Sequence, residues 1–132
     1  MLSIEEKKAV INYRIEKAYK TFDEARAVAK LGYWNLTGNR LYYSVYHMVS
    51  ALMLDKGFTV RTHAGMIHLL GEKFILTGLL DRTYGRFVSR LYELRQSGDY
   101  DDLFDATEEE VRPYFEKAKS LLEDLRKLIT LV

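Results

Sequence analysis

NRLYYSVYHMVSALML, residues 39–54, is the stretch whose reading decides the fold. Tyr42, Val45, Met48, Val49 and Leu52 recur at three and four residues, which is helical spacing, and Leu41, Ala51 and Leu54 widen the same side. A helix apolar over so much of its circumference sits in the middle of a bundle, because a surface helix needs only one apolar stripe. The same stretch carries one Arg and one His two turns apart. A core element and a candidate site therefore begin from the same residues.

The flanking sequence repeats the helical pattern. Gly57 ends the segment that starts near Trp34, and Gly38 inside its first turns costs ~1 kcal/mol relative to Ala, so an irregular beginning is expected. Upstream, Ser3 and Glu6 have capping-box spacing, and Val10, Ile11, Ile15, Ala18, Phe22, Ala25 and Val28 make one stripe that runs toward Gly32. Downstream, Thr62 can cap a short helix containing Ile67, Leu70 and Phe74, which Thr77 and Gly78 interrupt. A fourth helix is predicted from about Leu80 to Ser97, burying Tyr84, Phe87, Val88, Leu91 and Leu94, with SGDYDD at 97–102 as a turn. A last helix is predicted to begin at one of two overlapping capping boxes, Asp105–Glu108 or Thr107–Glu110. Pro113 falls in its early turn, where a proline is tolerated. No stretch alternates with period two for the length of a strand. The expectation is one domain over residues 1–132, an all-α antiparallel bundle of about five helices with short connections.

Composition narrows the chemistry. The chain has 132 residues, 48% hydrophobic and 30% charged, which is enough for one core and too apolar for a disordered segment. It has no Cys, so disulfides, thiolate metal sites and cysteine nucleophiles are excluded. No apolar run approaches the ~18 residues of a membrane span. MLSIEEKK at the start carries acids where a signal peptide needs an apolar core, so a cytoplasmic location is expected. The net charge of +1 exerts no global pull on nucleic acid, but the charge is unevenly placed. From Arg82 to Arg95 four Arg face only Glu93, and from Asp99 to Glu110 seven acids occur without a base.

Arg40 and His47 are seven apart, so they return to nearly the same helix face about 10 Å apart along the axis, with Ser44 and Tyr43 near that side. An Arg that holds phosphate and a His that moves a proton would suit phosphodiester cleavage. The plainer reading is an Arg capping a neighbouring helix and a hydrogen-bonded interior His. His63, beside Thr62, is a further polar group at the end of the bundle. Arg82, Arg86 and Arg90 repeat every four residues and could meet phosphates, acids of another subunit, or solvent. Arg95 is off that stripe, and an ion pair with Asp99 at i,i+4 is its modest explanation. The three His lack metal-ligand spacing, so no metal is expected, and no cofactor. No phosphate loop, nucleophile elbow or dinucleotide fingerprint is present.

NRLYYSVYH, then RTHAG at 61–65 and LRQSGDYDD at 94–102, together resemble the HEPN domain family, in particular its small stand-alone prokaryotic branch. The resemblance spans nearly the whole chain. It implies a helical bundle that pairs into a homodimer, often beside a small nucleotidyltransferase partner in a toxin–antitoxin-like module. Many members are metal-independent endoribonucleases, with an Arg, four to six residues, then a His, and two copies facing each other across the dimer. This chain departs from that pattern. Late in the bundle Arg95 is followed by QSGD and then Tyr100, and at neutral pH a Tyr is a far poorer proton shuttle than a His. Arg40 and His47 have an allowed spacing but lie on the second helix, with Leu41 after the Arg. Three readings stay open. The favoured one is a dimeric partner of a nucleotidyltransferase that binds nucleotide or RNA through Arg95, Tyr100, Tyr43, Arg86 and Arg90. The second is a ribonuclease using Arg40, His47 and His63, and the third a helical scaffold without catalysis. No membrane partner is expected.

Overall fold

A computed structural model describes all of residues 1–132 and contains helices and turns only. Helix α1 spans Ile4–Lys30. Its start is the expected capping box: the Glu6 amide donates to the Ser3 hydroxyl at 3.1 Å and the Ser3 amide to the Glu6 carboxylate at 3.0 Å. Gly32, at φ 79°, takes the left-handed conformation that lets the chain reverse. Helix α2 follows over Trp34–Lys56 and stops at Gly57, whose φ is 81°. A reversal this short lays α2 antiparallel along α1.

Helix α2 is the axis of the bundle, packing on α1 and on both later long helices. Tyr42, Val45, Met48, Val49 and Leu52 are all completely buried. Truncating a leucine so placed, such as Leu52→Ala, costs about 2–5 kcal/mol. Gly38 does not disturb the helix. A Cβ there would come within 3.2 Å of the Leu94 side chain, so the glycine permits a close approach and α2 stays regular through it.

Beyond α2 the boundaries move. Helix α3 spans His63–Leu70, with the Thr62 hydroxyl accepting the Gly65 amide at 2.9 Å. It runs into one π-helical turn over Gly71–Ile75, closed by the Leu76 amide on the Gly71 carbonyl at 2.9 Å. Helix α4 spans Thr83–Tyr100. It begins later than Leu80 and continues through the expected turn at Ser97. Asp99 explains the extension, because it joins Arg95 at 3.1 Å and Asn39 at 2.9 Å, contacts available only if that last turn is helical. The Thr107–Glu110 box is the cap that forms, but the helix behind it breaks at Pro113 into α5, Glu108–Val111, and α6, Tyr114–Leu128. The last helix is thus two pieces, because the proline cannot supply the amide that would continue the ladder.

Candidate functional site

The α2 stretch sends out two tyrosines whose hydroxyls find partners on different helices. Tyr42 is fully buried, yet its hydroxyl lies 2.5 Å from Nδ1 of His63, the first residue of α3. Burial pushes the Tyr42 phenol far above its ordinary range, with further upward pressure from the neighbouring tyrosines. It therefore keeps its proton and donates to Nδ1, which leaves the other ring nitrogen of His63 to carry the hydrogen. Burial, followed by the nearby Arg95 charge, holds His63 below its ordinary range, so the ring is neutral at physiological pH.

Arg95 on α4 completes the cluster. One terminal nitrogen donates to the Tyr43 hydroxyl at 2.7 Å and the other to Gln96 Oε1 at 2.9 Å. The expected Arg95–Asp99 pair is present, with Nε at 3.1 Å from the carboxylate. Its angle is not that of a hydrogen bond, however, and this buried N–H has no acceptor. Two of the five guanidinium donors are hydrogen-bonded to protein. The charge is surrounded by rings: Tyr42, Tyr43 and Tyr100 have centroids 5.9, 5.2 and 5.3 Å from it. Tyr92 closes the cluster by stacking on His63 at 5.8 Å and 24°. Tyr100 stands above it, 71% exposed. Tyr42, Tyr43, His63, Arg95 and Tyr100 therefore form one polar, aromatic rim.

Arg40 and His47 lie on the other edge of α2, toward α1. Arg40 bonds Glu24 of α1 at 3.2 Å and Asn39 Oδ1 at 2.8 and 3.0 Å, rather than capping helix carbonyls. Its charge sits 5.6 Å from the Tyr43 ring, and Asn39, which donates to Asp99 at 2.9 Å, links it to the Arg95 side as well. His47 makes no hydrogen bond to protein, unlike the hydrogen-bonded interior His of the plainer expectation. Burial, with the charges of Lys17, Arg40 and Arg14, pushes it down to about 4. Arg86 and Arg90 are apart from both edges, in a groove between α4 and α6. No group of three or more His, Asp or Glu is placed to hold a metal ion.

A model of the HEPN domain matches residues 11–128. This chain belongs to the HEPN family. It is similar to a "UPF0332 protein" of Thermotoga maritima, 34% identical over 94% of each chain. It is also similar to two proteins of Methanocaldococcus jannaschii that each bear the name "Putative toxin". One is 28% identical over 87% of this chain and 78% of its own. The other is 32% identical over 68% of this chain and 66% of its own. No helix of this HEPN chain is long and apolar enough to cross a membrane.

Sequence reasoning placed Tyr42 in the core and missed its hydroxyl contact, along with the roles of Tyr92, Asn39 and Gln96. A signal was available for Tyr42. A tyrosine among Leu, Val and Met at a central position must deliver its hydroxyl to a polar partner, which pointed to a neighbouring helix end.

Proposed function

We propose that this HEPN chain is a toxin-like binding module: a homodimer that takes a nucleotide or a segment of RNA at the Tyr–His–Arg rim and works with a small nucleotidyltransferase partner. Arg95 carries the reading. Its side chain is 11% exposed, its two terminal nitrogens spend only one N–H each on Gln96 and Tyr43, and an exposed Tyr100 ring lies beside it. A buried guanidinium with donors to spare is suited to a phosphate, and an exposed tyrosine to a base that stacks on it. The toxin-like part rests on the names of the two archaeal relatives, and the partner and the dimer on what HEPN membership implies. In place of a histidine the late motif offers Tyr100, which favours binding over proton transfer.

The test is titration of the purified protein with ATP and with a short single-stranded RNA, alongside co-purification with the nucleotidyltransferase encoded next to it. Tyr100→Ala should weaken ligand binding roughly tenfold while the melting curve is unchanged. Equal affinity in wild type and variant, together with no complex with the nucleotidyltransferase, would sink the reading.

One observation favours a second reading. His63 is neutral and accepts from a protonated Tyr42 at Nδ1, so its other ring nitrogen keeps an N–H beside Arg95, a donor suited to the charge that develops on a phosphate during cleavage. A metal-independent ribonuclease would cleave RNA in chelator and lose that activity in His63→Gln, with binding retained. Cleavage that survives both His63→Gln and His47→Gln would remove these side chains from any catalytic role.

A further inference from the structure

The groove between α4 and α6 gathers four cations, three of them on one helix. It encloses about 690 Å³ and is open to solvent. Arg82, Arg86 and Arg90 line one wall and Lys117 the other. None of the four has a carboxylate within ion-pairing distance, whereas Arg26, Arg40, Arg95 and Arg112 each do. Lys117 instead donates to the Thr83 hydroxyl and lies 5.1 Å from the Tyr84 ring. Asp81 stands at the mouth, where one carboxylate oxygen accepts from the amide and hydroxyl of Thr83 at 2.8 and 2.5 Å and the charge is felt by Lys117 and Arg82 without a direct ion pair.

Three arginines at four-residue steps rise ~6 Å per step along α4. Like charges so spaced repel slightly on the helix, and a bound polyanion would relieve that repulsion. Between them Phe87 is buried and packs on the half-buried Tyr114, with ring centroids 5.6 Å apart at 34°, which leaves Tyr114 as the ring that reaches the groove. Helix α6 also opens into this groove at Pro113 without a side-chain cap, which adds the positive end of its dipole to the four side-chain charges. A row of planar cations beside an aromatic ring is the arrangement that follows a single-stranded polynucleotide, with phosphates on the row and a base toward the ring.

We propose that the α4–α6 groove is a second anion site, separate from the Tyr–His–Arg rim, that holds the phosphate backbone of single-stranded RNA. It does not depend on the rim binding a nucleotide. An acidic protein segment is the competing occupant. Three arginines and the half-buried Tyr114 ring favour the polynucleotide, because a carboxylate-rich peptide has no use for the ring.

The probe is a fluorescein-labelled, unstructured RNA of about twelve nucleotides, followed by anisotropy at several salt concentrations. Arg86 and Arg90 are exposed, so the Arg86→Ala/Arg90→Ala variant should keep the wild-type melting curve. It should bind roughly tenfold more weakly, and the slope of log affinity on log salt should fall by roughly 1.4, the contribution of two phosphate contacts. Tyr100→Ala serves as the rim control. Loss of binding with the lower salt slope in the groove variant supports the groove, whether or not Tyr100→Ala also weakens binding, and a Tyr100→Ala without effect removes RNA from the rim alone. Weaker binding in Tyr100→Ala with the groove variant unaffected overturns the groove and leaves the rim reading standing. An unchanged affinity and salt slope in the groove variant overturns the proposal, as does tight binding of an acidic peptide of sequence 99–110 with no RNA binding.

Discussion

His47 makes the stability of this protein depend on acid in a way that can be isolated. Its ring is half-buried on the α1 side of α2, beside Lys17, Arg40 and Arg14, and its protonation midpoint is pushed down to about 4 from an ordinary 6.5. In the unfolded chain the ring regains the ordinary value. The folded value is the lower one, so the contribution is complete above pH ~6.5 and is lost as pH falls toward 4. Each pH unit between the two values corresponds to ~1.4 kcal/mol, which gives a ceiling of about 3 kcal/mol. The ring is reached by solvent on one side, so about half of that, ~1.5 kcal/mol, is the expected loss between pH 7 and 4. His47→Gln keeps the size and removes the titration. Urea unfolding of both proteins at pH 7, 6, 5 and 4 should show wild type losing ~1.5 kcal/mol more than the variant. Carboxylate effects cancel because both proteins carry them. Parallel stability profiles, or an NMR titration of His47 with its midpoint at 6.5, would refute the reasoning.

Three more perturbations test other parts of the fold. Tyr42→Phe should cost about 1 kcal/mol by removing the hydroxyl that serves His63, and should shift the titration of His63; an unmoved His63 midpoint would deny the bond. Gly38→Ala gains up to ~1 kcal/mol of helix propensity but drives a Cβ to 3.2 Å from Leu94, and crowding typically costs ~1–3 kcal/mol. A lower melting temperature is expected, and a higher one would show that Leu94 gives way freely. Asp55, with its side chain 1% exposed, is pushed up by burial, but the amides of Thr130 and Leu131 and the Lys56 ammonium overcome this and hold it below its ordinary range. Asp55→Asn should cost ~1–3 kcal/mol and speed amide exchange at Thr130 and Leu131; continued protection of those amides would show that the carboxylate does not hold the tail.

What could be read from the sequence follows the range of the forces involved. Ser3–Glu6, Gly32 and Gly57 act within a turn of themselves, and the ends of α1 and α2 are therefore visible in the string. The last turn of α4 is not, because SGDYDD has turn composition and becomes helical through Asn39, which is 60 residues from Asp99. The break at Pro113 has a related cause. A proline in a first turn is harmless only if the turn before it is dispensable, and here that turn is held separately by the Thr107 box. For the site, the local Arg95–Asp99 pair was legible from its i,i+4 spacing. The contacts Tyr42–His63 and Tyr43–Arg95 span 21 and 52 residues, and no periodicity encodes which side chain crosses a helix interface. Arg40 and His47 share a helix face as their spacing requires, but what stands opposite them is α1.

The bond between Tyr42 and His63 also bears on how the molecule breathes. A helix of eight residues has too few backbone bonds to persist alone, so α3 depends for its attachment on Met66 and Leu70, on Ile67 and Leu69 at the core's edge, and on His63 with its Tyr42 bond and Tyr92 stack. Detaching it exposes a handful of side chains and leaves the packing of α1, α2 and α6 untouched. Amide exchange over His63–Leu70 therefore proceeds at a free energy well below that of α2, without global unfolding. Anything that grips the His63 ring at the rim slows exchange along the whole of α3, including amides it never touches.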